Sequence, residues 1–236
     1  MARGLSLGGY EADWGELLSD WLTQRLCQPL LRSAAGEVRL TTLSAWRTEL
    51  EFWLPATAAW SAPLDRLVSR LEPLPGQRPR LAPRKLNGML KGYIDLVFEA
   101  HGRWYVLDWK SNHLGDDPAD YLGERLAAAM VAHRYDLQYV LYVLALHRLL
   151  AARLEDYDYA RHMGGACYVF LRGLASEAVD TAPESAPGAF NKAPDPAPGV
   201  FFRSPSQALI EALDAWLDGD EGPANALLAS AEEVET

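Results

Sequence analysis

The sequence predicts an α/β protein, and three stretches carry that prediction. Residues 90 to 112, LKGYIDLVFEAHGRWYVLDWKSN, read as a β-hairpin of two buried strands. Residues from about 121 to 154 form a long helix-forming run dense in Ala and Leu, part of which must be buried nearly all round. Residues 164 to 174, GGACYVFLRGL, then read as a short interior strand between glycines. The chain has 236 residues, 49% hydrophobic and 23% charged, which suits one globular domain over 1–236 with one sizeable core.

The remaining elements follow in order. Between residues 10 and 32, Trp14, Leu17, Leu18, Trp21, Leu22 and Leu26 recur at helical spacing with acids between them, the pattern of an amphipathic helix. WRTELEFWL, residues 46 to 54, alternates enough for a strand, with Pro55 expected to end it. The Pro, Arg and Gly between Pro73 and Pro83 predict a loop leading into the hairpin. Residues 175 to 200 are rich in Pro and small side chains that bury too little surface to order themselves, so a flexible loop is expected. At Ser204 the run Ser-Pro-Ser-Gln supplies an N-cap, a proline at the first helical position and a glutamine three residues on, predicting a helix to about Leu217. The acidic, Ala-rich tail from Asp218 to residue 236 is expected to be loosely attached.

Composition narrows the function. With 22 basic and 32 acidic residues the formal charge is −10, which argues against coating nucleic acid through a general basic surface. It leaves room for a nuclease, because a dication held by acids carries positive charge to a phosphate locally. No run of about 18 apolar residues occurs and the start lacks a secretory apolar region, so an intracellular, cytoplasmic protein without a membrane span is expected. Cys27 and Cys167 lie far apart without metal-ligand spacing, and read as ordinary buried thiols in a reducing compartment.

The hairpin poses a chemical question. With a turn at His101-Gly102 and a loop of two or four residues, Asp95 falls opposite Asp108 on one face with Val97, Val106 and Lys110, while Ile94, Leu96 and Phe98 meet Tyr105, Leu107 and Trp109 on a core face. Opposed residues have Cβ atoms about 5 Å apart, where like charges repel. Two such carboxylates either share a proton or bind a cation. A shared proton leaves Lys110 unexplained, whereas a hard dication explains all three, since it takes oxygen ligands and keeps waters on which an amine can act. The remaining alternative is an Asp108 to Lys110 ion pair on an exposed sheet face, which the apolar neighbours disfavour.

Asp95, twelve intervening residues, then Asp108-x-Lys110 is the arrangement of the PD-(D/E)XK nuclease superfamily. Around it, GMLKGYIDLVF, WYVLDWKSNHLG, AHRYDLQYVLYVLALHRLL and DYDYARHMGGACYVFLRG together resemble the C-terminal nuclease domain of the RecB family, from about Leu7 to Leu217. The resemblance implies a restriction-endonuclease-like core, a mixed central sheet flanked by helices. It implies Mg²⁺ held by Asp95, Asp108 and the backbone carbonyl of Trp109, with Lys110 orienting the attacking water and offsetting charge on the phosphate. A Gln-x-x-x-Tyr element maps to Gln138 and Tyr142, spaced to share a helical face as DNA or active-site contacts; by periodicity alone Tyr142 reads as core.

As partners the resemblance implies DNA single strands from a linear duplex, RecC-like and RecD-like subunits, and RecA. It also implies a third ligand, a histidine on a helix preceding the part that matches residues 7 to 30. No histidine precedes His101 and no phosphate-binding Gly-x-x-x-x-Gly-Lys-Ser/Thr loop occurs, so a chain lacking the helicase portion and the first nuclease helix is expected.

Other polar residues carry weaker expectations. Glu49 and Glu51 share a strand face and read as a solvated pair. His133 and Arg134 face DNA, or serve as cap or surface residues. His113 is a loop residue, His101 a turn residue, and His147 and His162 have no metal spacing.

Overall fold

Strand formation starts at the hairpin. In the computed structural model, which describes residues 2–174 and 194–233, His101 and Gly102 both take positive φ (53° and 79°), the two-residue turn whose twist matches the flanking strands. Leu96 pairs Leu107 and Val97 pairs Val106, the register expected from the sequence. In chain order the elements are α1 (Ala2–Leu7), α2 (Trp14–Leu26), β1 (Pro29–Ser33), β2 (Gly36–Arg39), β3 (Trp46–Trp60), α3 (Ser61–Leu71), β4 (Lys85–Ala100), β5 (Arg103–Lys110), α4 (Gly123–Ala132), α5 (Tyr135–Arg153), α6 (Tyr159–His162), β6 (Met163–Phe170), β7 (Asp195–Pro196), β8 (Val200–Arg203), α7 (Gln207–Leu217) and α8 (Gly222–Glu233).

A five-stranded sheet runs β3-β4-β5-β6-β8, and a small sheet runs β2-β1-β7. The β5–β6 pair is parallel and the other neighbours are antiparallel, because α4, α5 and α6 form the crossover that returns the chain beside β5. This is a mixed α/β sheet with helices against it.

Both faces of β4 and β5 are covered. Val97, Val106, Ala166, Tyr168 and Phe170 join the core that holds α3, α5 and α7, while Leu96, Phe98, Tyr105, Leu107 and Val169 join a second cluster with Leu30, Leu31 and Val38 of the small sheet. The expectation of one core face is therefore corrected to two, and Ile94 lies with Val97 rather than with Leu96. Strict alternation would separate Ile94 from Val97. The recorded pairs step from Thr48–Leu96 to Leu50–Ile94, passing over Glu49 and Asp95, and Glu49 has φ of 49°, so alternation shifts at that point.

Other boundaries move for identifiable reasons. β3 continues through Pro55 to Trp60, since it is the edge strand, where a missing N–H costs no ladder bond. The long helix divides into α4 and α5 at Arg134, whose left-handed φ of 55° is held by bonds to the Asp65 carboxylate and the Pro79 carbonyl. Pro29 ends the first amphipathic run early, and Leu30 and Leu31 become strand. The cap of α7 is Ser206, which accepts the Leu209 N–H, rather than Ser204.

Of the expected 175–200 loop, residues 175–193 lie outside the described residues, whereas Asp195-Pro196 pair with β1 and Val200 opens β8. The tail is less loose than expected: α8 buries Ala224 and rests Leu227 and Leu228 on the main core, an i, i+3, i+4 apolar stripe. Cys167 is buried, but Cys27 is exposed at the end of α2. No described helix is long and apolar enough to cross a membrane.

Candidate active site

The site forms where β4 and β5 diverge beneath α5. Beyond the Leu96–Leu107 pair, the Asp95 carboxylate itself accepts the Trp109 backbone N–H at 2.9 Å. Asp108 and Lys110, next on β5, are 5% and 8% exposed. Their ion pair, 2.6 Å between Nζ and Oδ2, is thus buried, not the surface pair weighed from the sequence.

α5 completes the arrangement. Lys110 Nζ donates to Gln138 Oε1 at 3.0 Å, Gln138 Nε2 donates to the Tyr142 hydroxyl at 2.8 Å, and the Asp108 charge is in electrostatic reach of Tyr142. One turn of helix separates Gln138 from Tyr142, which aims both side chains at β5. Phe52 packs edge-on against Tyr142 with ring centroids 5.6 Å apart. Phe52 in turn lies over Gly92, where an added Cβ would meet its ring at 2.4 Å, so glycine is the residue that fits beneath it.

Sequence reasoning missed two neighbours, Tyr168 and Tyr135, and took Glu49 as one of a solvated pair. Tyr168, directly beside Asp108 in the parallel β5–β6 register, donates to Gln138 Oε1 at 3.1 Å; nothing local could place it there, because its neighbour lies 60 residues away. Tyr135 lies under Lys110, and its spacing of three from Gln138 was a legible signal. Glu49 is exposed in left-handed backbone at the level of Asp95, parted from Glu51, which is tied to Lys91, Trp53 and Tyr93.

The histidines separate similarly. His133 meets Asn112 at 3.3 Å close to the site, whereas Arg134 turns into the Asp65 and Asp136 ion pairs. His113 contacts Asp116, His101 forms the turn, and His147 and His162 pack around Tyr157.

Electrostatics distinguish the acids. Burial pushes the Asp108 carboxyl above the usual range, the Lys110 ammonium pulls it back, and the Asp95 charge raises it further. Burial and the Asp108 charge push the Tyr142 phenol up to about 12, and burial with both aspartates raises Tyr168 more strongly. A buried carboxylate with a second one in electrostatic reach is a place where a cation relieves cost. Hard oxygens suit Mg²⁺, which keeps several waters and needs one or two carboxylates. Among the described residues no group of three or more His, Cys, Asp or Glu side chains converges on one point. The donors present thus fit a dication that remains largely hydrated.

A mixed sheet thus carries two acids and a lysine where β4 and β5 part. The family described as the PD-(D/E)XK nuclease superfamily matches residues 6–227, and the chain belongs to it. Within it, the chain is similar to the RecBCD enzyme subunit RecB of Escherichia coli (strain K12), 49% identical over 176 residues that make up 73% of this chain and 15% of the relative. The RecBCD enzyme subunit RecB of Buchnera aphidicola subsp. Schizaphis graminum (strain Sg) is 31% identical over 170 residues, 70% of this chain and 14% of the relative. That of Mycobacterium tuberculosis (strain ATCC 25618 / H37Rv) is 46% identical over 111 residues, 47% of this chain and 10% of the relative. The chain thus spans a small part of each relative's length.

Proposed function

We propose that this chain is a Mg²⁺-dependent nuclease domain that hydrolyses phosphodiester bonds in single strands of linear DNA, in double-strand-break repair and recombination in the cytoplasm. The observation that supports it most is the buried Asp108–Lys110 pair beside Asp95, extended through Gln138 to Tyr142. Asp95, Asp108 and the Trp109 carbonyl would hold Mg²⁺, which when bound supplies Lewis acidity and a template for in-line displacement.

The side chains do the rest. Lys110, with its amine fixed by Gln138, orients the attacking water and places positive charge beside the phosphate as it gains charge in the transition state. Tyr142 and Gln138 keep Asp108 and Lys110 aligned so that neither reorganises during the step. The test is degradation of linear single-stranded DNA with Mg²⁺ by the wild type, Asp108→Ala and Lys110→Ala. Losses of about 100-fold or more in both variants are expected, and equal, metal-independent activity in all three would refute the mechanism.

A second reading, docking to a RecC-like subunit or recruitment of RecA, draws support from a different place. Leu7, Tyr10, Trp14 and Leu17 are exposed on α1, α2 and the turn between them, and α2 buries none of its residues. Capture of RecA or a RecC-like protein that survives Asp95→Ala, with cleavage absent from the wild type, would favour this reading over the nuclease.

A further inference from the structure

Lys110 carries its charge on a flexible four-carbon stem, and its two polar partners, Asp108 and Gln138, are joined on its other side by aromatic rings. Its ammonium lies 3.7 Å from the ring centroid of Tyr135 and 5.0 Å from that of Tyr168. At the nearer distance, and with Lys110 8% exposed, the attraction between a cation and a ring face is little screened.

The Tyr135 ring is itself held from several directions. It opens α5 directly after Arg134, whose left-handed backbone is anchored by Asp65 at 2.6 Å and the Pro79 carbonyl at 2.7 Å. Its hydroxyl donates to Asn112 Oδ1 at 3.2 Å, and Asn112 Nδ2 meets His133 Nε2 at 3.3 Å. The His133 ring stacks on Tyr135 with centroids 5.2 Å apart and planes 22° from parallel. The segment just after β5 and the α4–α5 junction therefore clamp one aromatic ring against the lysine.

We infer that Tyr135 is a further positioning residue for Lys110, beside Gln138: its ring face holds the ammonium toward Asp108, while its hydroxyl serves the scaffold through Asn112 and His133. The consequence for turnover rests on the nuclease reading, but the placement of Lys110 is a property of the chain alone. Tyr168 assists from β6, yet its hydroxyl is committed to Gln138.

Two readouts test this. The chain has four lysines, Lys85, Lys91, Lys110 and Lys192. In protein labelled at the lysine ε-carbon and free of metal, the Lys110 ε-methylene protons, assigned with Lys110→Arg, should lie upfield through the ring current of Tyr135. They should stay there in Tyr135→Phe and move downfield in Tyr135→Leu. On single-stranded DNA with Mg²⁺, Tyr135→Leu should lower kcat roughly 3- to 30-fold with little change in KM, and Tyr135→Phe should restore most of the loss.

An unshifted Lys110 resonance in the wild type would overturn the inference. So would a Tyr135→Phe variant as impaired as Tyr135→Leu, or a Tyr135→Leu effect confined to KM. If the wild type cleaves no DNA, the nuclease reading fails, and the spectra alone decide the role of Tyr135.

Discussion

Asp108 occupies the costliest position in the site, a carboxylate 5% exposed with Asp95 in electrostatic reach. Lys110, Gln138 and Tyr142 offset that cost as a linked chain, which loses its geometry when a member goes. Gln138→Ala removes three links together, the acceptor shared by Lys110 and Tyr168 and the donor to Tyr142. It should lower kcat roughly tenfold, about 1.4 kcal/mol of transition-state stabilisation, with KM for DNA nearly unchanged. Steady-state cleavage across DNA concentrations separates the two parameters. A rise in KM alone would instead make Gln138 a DNA contact.

At the scale of the element, the hairpin was the most legible part of the chain. Alternation and a His-Gly turn were enough to set the β4–β5 register from Ala100–Arg103 to Leu96–Leu107, while the expected Asp95–Asp108 pair lies beyond it, where Asp95 instead accepts the Trp109 N–H. Less legible was whatever depends on distant partners. The left-handed break at Arg134 is invisible to periodicity because its cause lies in Asp65 and Pro79, and the extension of β3 through Pro55 follows from an edge position that only the assembled sheet defines. Tyr168 reached the site through parallel pairing, which leaves no mark on local spacing. The α4–α5 junction should accordingly be fragile. Asp136 is fully buried between Arg134 and Arg78. Arg134→Ala removes one of the two cations and should cost about 3–5 kcal/mol, read as a lower urea midpoint. A change under about 0.5 kcal/mol would mean that Arg78 alone satisfies Asp136.

For the whole molecule, the formal charge of −10 sets the terms on which it meets a polyanion. On the proposed function, attraction to phosphate is local and borne by a dication and Lys110, so cleavage should depend on the metal far more than on general surface charge. Acidity also bears on stability. Burial holds the His147 imidazole below its ordinary range, against the opposing pull of Asp214 and Glu211, and its Nδ1 sits 2.9 Å from the Tyr157 hydroxyl. A depressed folded pKa means that the unfolded chain binds the proton first. His147 thus contributes stability that is present above about pH 6.5 and is lost as pH falls toward its folded value. Thermal unfolding between pH 7.5 and 5 should show a shallower loss in His147→Gln than in the wild type; parallel curves would contradict that sign.

All of this depends on whether the carboxylates of neighbouring strands β4 and β5 hold one dication between them. Calorimetric titration of the metal-free chain with Mg²⁺ asks it directly. A saturable isotherm for the wild type, abolished in both Asp95→Ala and Asp108→Ala, is the predicted result. A flat wild-type trace, or isotherms that the substitutions leave unchanged, would contradict it.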